Sequence, residues 1–109
     1  MVIEAMDEEN QHFSVGIWLV KSGKEKDFIA TFGAFAEWVF DRNLGAEEVY
    51  LLQDIEQPSR FITCGPWESI QKIEEWRKLP EFKEFFAKSK EMCDEITPLT
   101  MKPILHLQR

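Results

Sequence analysis

His106, close to the end of the last apolar run of this chain (LTMKPILHL), is the side chain whose type best suits proton transfer. An imidazole titrates near neutral pH, so His106 is a candidate general base, within a cavity or across an interface between copies. His12 opens an earlier apolar run. No carboxylate or second histidine stands at a spacing that would orient either ring, so the simpler reading of each is a strand-end residue near solvent. Cys64 and Cys93 are alone, without a partner at metal or redox spacing, which favours buried structural thiols over nucleophiles. No zinc spacing, glycine-rich phosphate loop, dinucleotide fingerprint or Ser/His/Asp arrangement is present. Pairs such as Glu74 with Lys78 and Glu84 with Lys88, at i,i+4, describe a solvated helix face.

The elements that must position these residues follow from periodicity. His12 to Val20 alternates as a strand, with Phe13, Val15, Ile17 and Leu19 on one face and Ser14, Gly16, Trp18 and Val20 on the other. Both faces have something to bury, so it is expected at the centre of a sheet. After Ser22-Gly23, Phe28, Phe32, Phe35, Ala36, Val39 and Phe40 recur at helical spacing until Asn43-Leu44-Gly45. Glu48 to Asp54 and Arg60 to Trp67 read as a hairpin about the Gln57-Pro58-Ser59 turn. A second helical region starts at Glu68 or Ser69 and carries Ile70, Ile73, Trp76, Phe82, Phe85, Phe86 and Cys93 inward. Pro80 divides it into two helices, and Thr97-Pro98 is expected to end it. Leu99 to Leu107 is the last strand, and Pro103 argues for an edge, or for a strand that crosses to a partner. Residues 1–11 are acidic and polar after a short apolar start and read as a tail of disorder-prone composition.

The order β-α-β-β-α-β over residues 12–109 predicts one α+β domain: a ferredoxin-like, four-stranded antiparallel sheet with its helices on one face. The positions available to the other face include Leu, Val, Phe, Ile and Trp, more apolar surface than a monomer usually leaves in water. Stacking two sheets face to face in a homodimer would cover it.

Composition narrows the class of protein. Of 109 residues, 44% are apolar and 30% charged, so one packed core is feasible. The net charge is −7, with no dense cluster of Lys and Arg, which disfavours nucleic acid and anionic membranes as partners. Apolar runs are far shorter than the roughly 20 residues that span a bilayer. With two isolated cysteines and no secretory leader pattern, a soluble cytoplasmic protein is expected. Nine Phe, four Trp and one Tyr are the unusual part.

Those aromatic residues carry a resemblance. Ser22-Gly23 at the strand-to-helix turn, Gly65-Pro66-Trp67-Glu68-Ser69 closing the third strand, and Trp76 followed by Pro80-Glu81-Phe82 together resemble the antibiotic biosynthesis monooxygenase-like family of dimeric α+β barrels. The likeness covers roughly residues 12 to 107. It implies fold and dimer more than reaction, because the family includes oxygenases, haem degraders and signal-molecule processing enzymes. Haem-degrading members use a first-strand Asn, a Trp and a later His; the matching places hold Gly16, Trp76 and Phe86, which offer neither the amide nor the iron ligand. Cofactor-independent, quinone-forming members use an Asn, a Trp and a Tyr where this chain has Thr63, Trp67 and Ile73.

Oxygenation without a cofactor needs an electron-rich substrate that can lose a proton, a dry cavity, and a few polar groups to hold the anion. The resemblance therefore implies a monooxygenase acting on a small aromatic or polyketide-like metabolite, without metal, flavin or haem. Thr63 would hold a polar substituent and His106 would be the base. Trp38, Trp67, Trp76, Phe82, Phe85 and Phe86 would line the cavity, although aromatic stripes at helical spacing are most often plain core. The alternative is a non-catalytic binding or interaction protein on the same scaffold.

Overall fold

The computed structural model describes the backbone of Val2–Ala5 and residues 11–109. The tail expected over residues 1–11 lies in large part outside the described residues; within it, Val2–Ala5 form strand β1. Strand β2 (His12–Val20) leads into helix α1 (Glu25–Asp41), followed by β3 (Tyr50–Gln53), β4 (Arg60–Trp67), helices α2 (Ile70–Lys78) and α3 (Pro80–Met92), β5 (Cys93–Met101) and β6 (Leu105–Gln108). The main sheet has the order β3-β4-β2-β5 and every neighbouring pair is antiparallel. This is the ferredoxin-like α+β arrangement, with β2 at the centre as its two apolar faces require.

Residues that alternate along β2 and β4 divide the sheet into two surfaces. Gly16, Trp18 and Val20 of β2 and Phe61, Thr63, Gly65 and Trp67 of β4 are buried. They meet two clusters beneath the helices. One holds Trp18, Val20, Phe28, Phe61, Phe85, Met92 and Cys93; the other holds Val39, Trp67 and Ile73. Phe28 and Ile73 are fully buried, and burying side chains of this size stabilises the fold by about 1.5–3 kcal/mol each. The opposite surface carries Phe13, Val15, Ile17 and Leu19 with Tyr50, Leu52, Ile62 and Met101, and the last four are exposed.

Helix boundaries follow local chemistry. Ser69 caps α2, its hydroxyl accepting from the Lys72 backbone N–H, which satisfies one of the free donors at a helix start. Pro80 is the first residue of α3, where its missing N–H and fixed φ cost nothing. At the end of α1, Asn43 and then Gly45 take positive φ (54° and 117°), turning the chain back toward the sheet.

Three details differ from the sequence reading. Helix α3 ends at Met92, not at Thr97-Pro98, so Cys93 opens β5 and Pro98 lies within that strand, opposite Gly16. Strand β5 has a neighbour on one side only, and an edge strand tolerates proline because its outer N–H positions need no partner. The hairpin strand expected from Glu48 begins at Tyr50. Ala46 bridges Trp67 while Tyr50 pairs with Cys64, so the register slips by one residue between them. There the Glu48 carbonyl oxygen occupies the place where a Cβ on Gly65 would stand, which only glycine permits. Finally, the last strand is not continuous: it breaks at Lys102–Ile104 around Pro103, and β6 pairs with β1 as a separate two-stranded sheet.

Candidate functional site

Between the helices and the inner face of the sheet lie two small adjoining chambers. The first, with room of about 40 Å³ for water-sized molecules, is walled by α1 residues Phe32, Phe35, Ala36 and Val39 and by Trp67 and Trp76. The second, of about 30 Å³, is walled by Trp18, Trp76, Phe82, Phe85, Phe86 and Pro98. Ser14, Phe32, Thr63 and Trp76 line both and so form the partition between them. A water needs roughly 10–15 Å³ of such room, so each chamber holds a few small molecules and neither holds an aromatic ring as it stands.

The partition carries a buried hydrogen bond, while Glu48 lines the first chamber and Arg77 the second. The Trp18 indole Nε1–H donates to Thr63 Oγ1 at 3.0 Å, a buried hydrogen bond between β2 and β4. A hydroxyl has one proton and two acceptor sites, so this bond uses the oxygen and leaves the Thr63 O–H free to donate. Gly16, directly opposite Thr63 in the register, makes the bond sterically feasible. A Cβ there would stand 2.7 Å from Trp18 Nε1 and 2.8 Å from Thr63 Oγ1.

Aromatic packing fixes the walls. Trp76 lies 4.6 Å from Trp67 and 4.8 Å from Phe82, centroid to centroid, and Phe35 stacks on Phe85 at 4.2 Å. Contacts of this geometry are worth about 0.5–1.5 kcal/mol beyond area burial. Buried side-chain nitrogens without a hydrogen-bond partner among the described residues include Trp76 Nε1 and Arg77 Nε, on two residues that both line the second chamber. Arg77 is half-buried between α2 and β5. Its Nη1 donates to Thr100 Oγ1 and its Nη2 to the Leu99 carbonyl at 2.8 Å. Burial lowers its pKa from the ordinary arginine value.

Of the residues named from sequence, Thr63, Trp67, Trp76, Phe82, Phe85 and Phe86 are brought together around the chambers. Two are not. Trp38 lies on the outer side of Phe35, stacked at 5.9 Å and topped by the Arg42 guanidinium at 5.3 Å, and lines an external groove with Glu81, Glu84 and Lys88. His106 is exposed on β6, opposite Glu4 of β1, and lines neither chamber of its own protomer. The break at Pro103 explains this, because it removes His106 from the strand that carries Thr100.

Cys93 is buried at the start of β5, and burial pushes its thiol up to about 11. It is a packing residue and not a nucleophile at neutral pH. Among the described residues no group of three His, Cys, Asp or Glu is placed to hold a metal ion.

Ser14 and Arg77 were not singled out from sequence. Strand alternation already put Ser14 on the face of Gly16 and Trp18. Arg77 gave no signal, because its contacts are with residues more than twenty positions later.

An antiparallel sheet covered on one face by three helices, with an aromatic-walled space between the layers, defines a ferredoxin-like α+β protein with a small internal site. Residues 14–88 match the model of the antibiotic biosynthesis monooxygenase family, and the chain belongs to that family. No curated protein sequence matches it significantly. Among solved structures, a protein from Shewanella oneidensis superposes with a TM-score of 0.79 at 17% identity, covering 94% of this chain and 97% of that one. Two others each bear the name "putative antibiotic biosynthesis monooxygenase". The Nitrosomonas europaea protein has a TM-score of 0.78 at 13% identity, with 91% and 95% covered. The Bordetella bronchiseptica protein has a TM-score of 0.74 at 26% identity, with 88% and 99% covered. Among the described residues no helix is long and apolar enough to cross a membrane.

Proposed function

We propose that this chain is a monooxygenase-like protein that oxidises a small hydroxylated aromatic metabolite without metal, flavin or haem. The observation that carries this reading is the Trp18–Thr63 hydrogen bond, which turns the Thr63 hydroxyl into a donor within an aromatic-walled space. A donor fixed in a low-dielectric cavity stabilises the oxyanion of a deprotonated hydroxyaromatic, and it is the anion that is electron-rich enough to meet dioxygen. The protein's part is to exclude water, hold the oxygen substituent at Thr63 and keep the ring against Trp67 and Trp76.

Entry of a ring requires the two chambers to merge. Of the partition, Trp76 is not fully buried and its N–H has no partner among the described residues, so a ring would enter by displacing it from its contacts with Trp67 and Phe82. A side chain so placed supports a gate that opens on binding.

The apolar outer surface of the sheet supports a homodimer formed by stacking two sheets. His106 stays in the proposal only as a base supplied by the second subunit, since it lies away from the chambers of its own protomer.

A second reading, a non-catalytic small-molecule-binding or interaction protein, is favoured by the small volume of the chambers and by Ile73 and Phe86, apolar where catalytic members carry polar groups. Oxygen uptake separates the two. The enzyme reading expects dioxygen consumption with hydroxynaphthalenes or hydroxyanthrones that Thr63→Ala reduces at least tenfold. Absence of uptake across such a panel, together with tight binding, establishes the second reading.

A further inference from the structure

The second chamber shares part of its wall with a groove on the outside of the helices. Arg77, Phe82 and Phe86, which line it, also line an open groove of about 290 Å³ on the surface of α2 and α3, together with Lys83, Ala87 and Lys90. In a chain of net charge −7, three cations and, among the described residues, no acidic side chain line this groove. The spacing on α3 is helical: positions 83, 86, 87 and 90 share one face, so two ammonium groups flank a phenyl ring and a methyl group. Lys90 Nζ lies 5.2 Å from the Phe86 ring centroid. Among the described residues none of the three cations pairs with a carboxylate within 4 Å.

Arg77 closes the inner end. Two of its nitrogens are spent on β5, which holds the guanidinium in place, while its buried Nε–H has no acceptor among the described residues. The adjacent Trp76 Nε1–H is likewise buried and unpaired. Leaving a buried donor unpaired costs about 1–3 kcal/mol, and two on neighbouring residues lining one chamber mark a place that an acceptor oxygen would satisfy. A flat ring fits the groove floor, where Phe82 and Phe86 stack 5.9 Å apart.

We infer that the groove of Arg77, Lys83 and Lys90 binds the carboxylate of an aromatic acid, whose ring lies on Phe82 and Phe86 and whose other end faces the inner chamber. This rests on the proposed function and narrows its substrate to hydroxylated aromatics that also carry a carboxylate. Charge selects the ligand at the mouth, and the aromatic walls select its shape. A neutral hydroxyaromatic could accept from one of the N–H groups but would leave the three cations without a counter-charge.

The test is calorimetric titration of the full chain with 6-hydroxy-2-naphthoate, whose hydroxyl and carboxylate stand at opposite ends of the ring system, and with 2-naphthol, which lacks the carboxylate. The acid is expected to bind at least tenfold tighter, with the preference falling as salt rises. Arg77→Gln should abolish the preference. Because Arg77 also ties α2 to β5, Lys83→Gln/Lys90→Gln, at two exposed positions, provides the independent variant and should reduce the preference at least threefold. Equal affinity for the two compounds, no binding of either, or an unchanged preference in the double lysine variant overturns the inference. Binding of the acid without oxygen uptake would retain this site and reject the oxygenase reading. Uptake with neutral hydroxyaromatics at equal affinity would do the reverse.

Discussion

The indole nitrogen of Trp18 donates to the hydroxyl of Thr63 at 3.0 Å, two residues along β2 from a glycine that has no room for a side chain. One bond therefore joins a core tryptophan to the polar residue of the site. Thr63 is held in one orientation by the same cluster that holds the fold, so its free O–H points where packing sets it and not where solvent would.

Removing the hydroxyl should be felt by fold and function together. Thr63→Ala leaves the Trp18 N–H buried and unpaired, an expected loss of about 1–3 kcal/mol in urea denaturation. Thr63→Ser keeps donor and acceptor and should recover most of that loss, along with ligand binding. Equal stability of Thr63→Ala and the parent would show that the hydrogen bond contributes nothing.

Gly16→Ala tests the same arrangement from the other strand. A methyl group 2.7 Å from the indole nitrogen must displace either Trp18 or Thr63. An overpacking cost of about 1–3 kcal/mol is expected in the same assay. Tolerance without loss would mean that the two side chains adjust freely.

Much of this was legible in the chain. The alternation in His12 to Val20, the helical phenylalanines from Phe28 to Phe40 and the proline break at Pro80 each had one physical reading. Pro98 was misread because proline stops a helix and is also accepted on an edge strand, and the edge exists only once the sheet is assembled. Trp38 was placed in the cavity because it shares the helix with Phe35, yet it stacks on that ring under Arg42 and lines an external groove. His106 was lost to the site at Pro103, a three-residue question of whether a strand continues. Arg77 was invisible because its role depends on Leu99 and Thr100, which only the tertiary fold brings near.

Cys93 gives a pH signature. Its thiol is raised from 9 to about 11, chiefly by burial, so the folded state holds that proton more tightly than the unfolded chain. The stabilisation is present below pH 9 and is lost as pH rises through 9 to 11. Thermal melts between pH 8 and 11 should fall more steeply for the parent than for Cys93→Ala, and iodoacetamide at pH 8 should spare Cys93 in the folded protein. Rapid labelling there would contradict its burial.

The outer surface of the sheet predicts an oligomer. Ile62 is 38% exposed in the protomer, so Ile62→Glu should leave the fold intact, as circular dichroism would show. If two sheets stack, one charge at this position opposes burial strongly. Sedimentation should then report a dimer for the parent and a monomer for Ile62→Glu. A parent that is monomeric at micromolar concentration would remove the stacked dimer.

The central claim is that the space walled by Trp67 and Trp76 and served by Thr63 is where a hydroxyaromatic is oxidised. Oxygen-electrode measurement with a hydroxyanthrone or hydroxynaphthoate tests it most directly, using purified protein treated with chelator and free of flavin and haem absorbance. The account predicts steady dioxygen consumption matched by oxidised product, lowered at least tenfold by Thr63→Ala and little changed by an exposed-face control such as Lys26→Ala. Uptake no faster than the buffer blank, or uptake that survives Thr63→Ala undiminished, would contradict it.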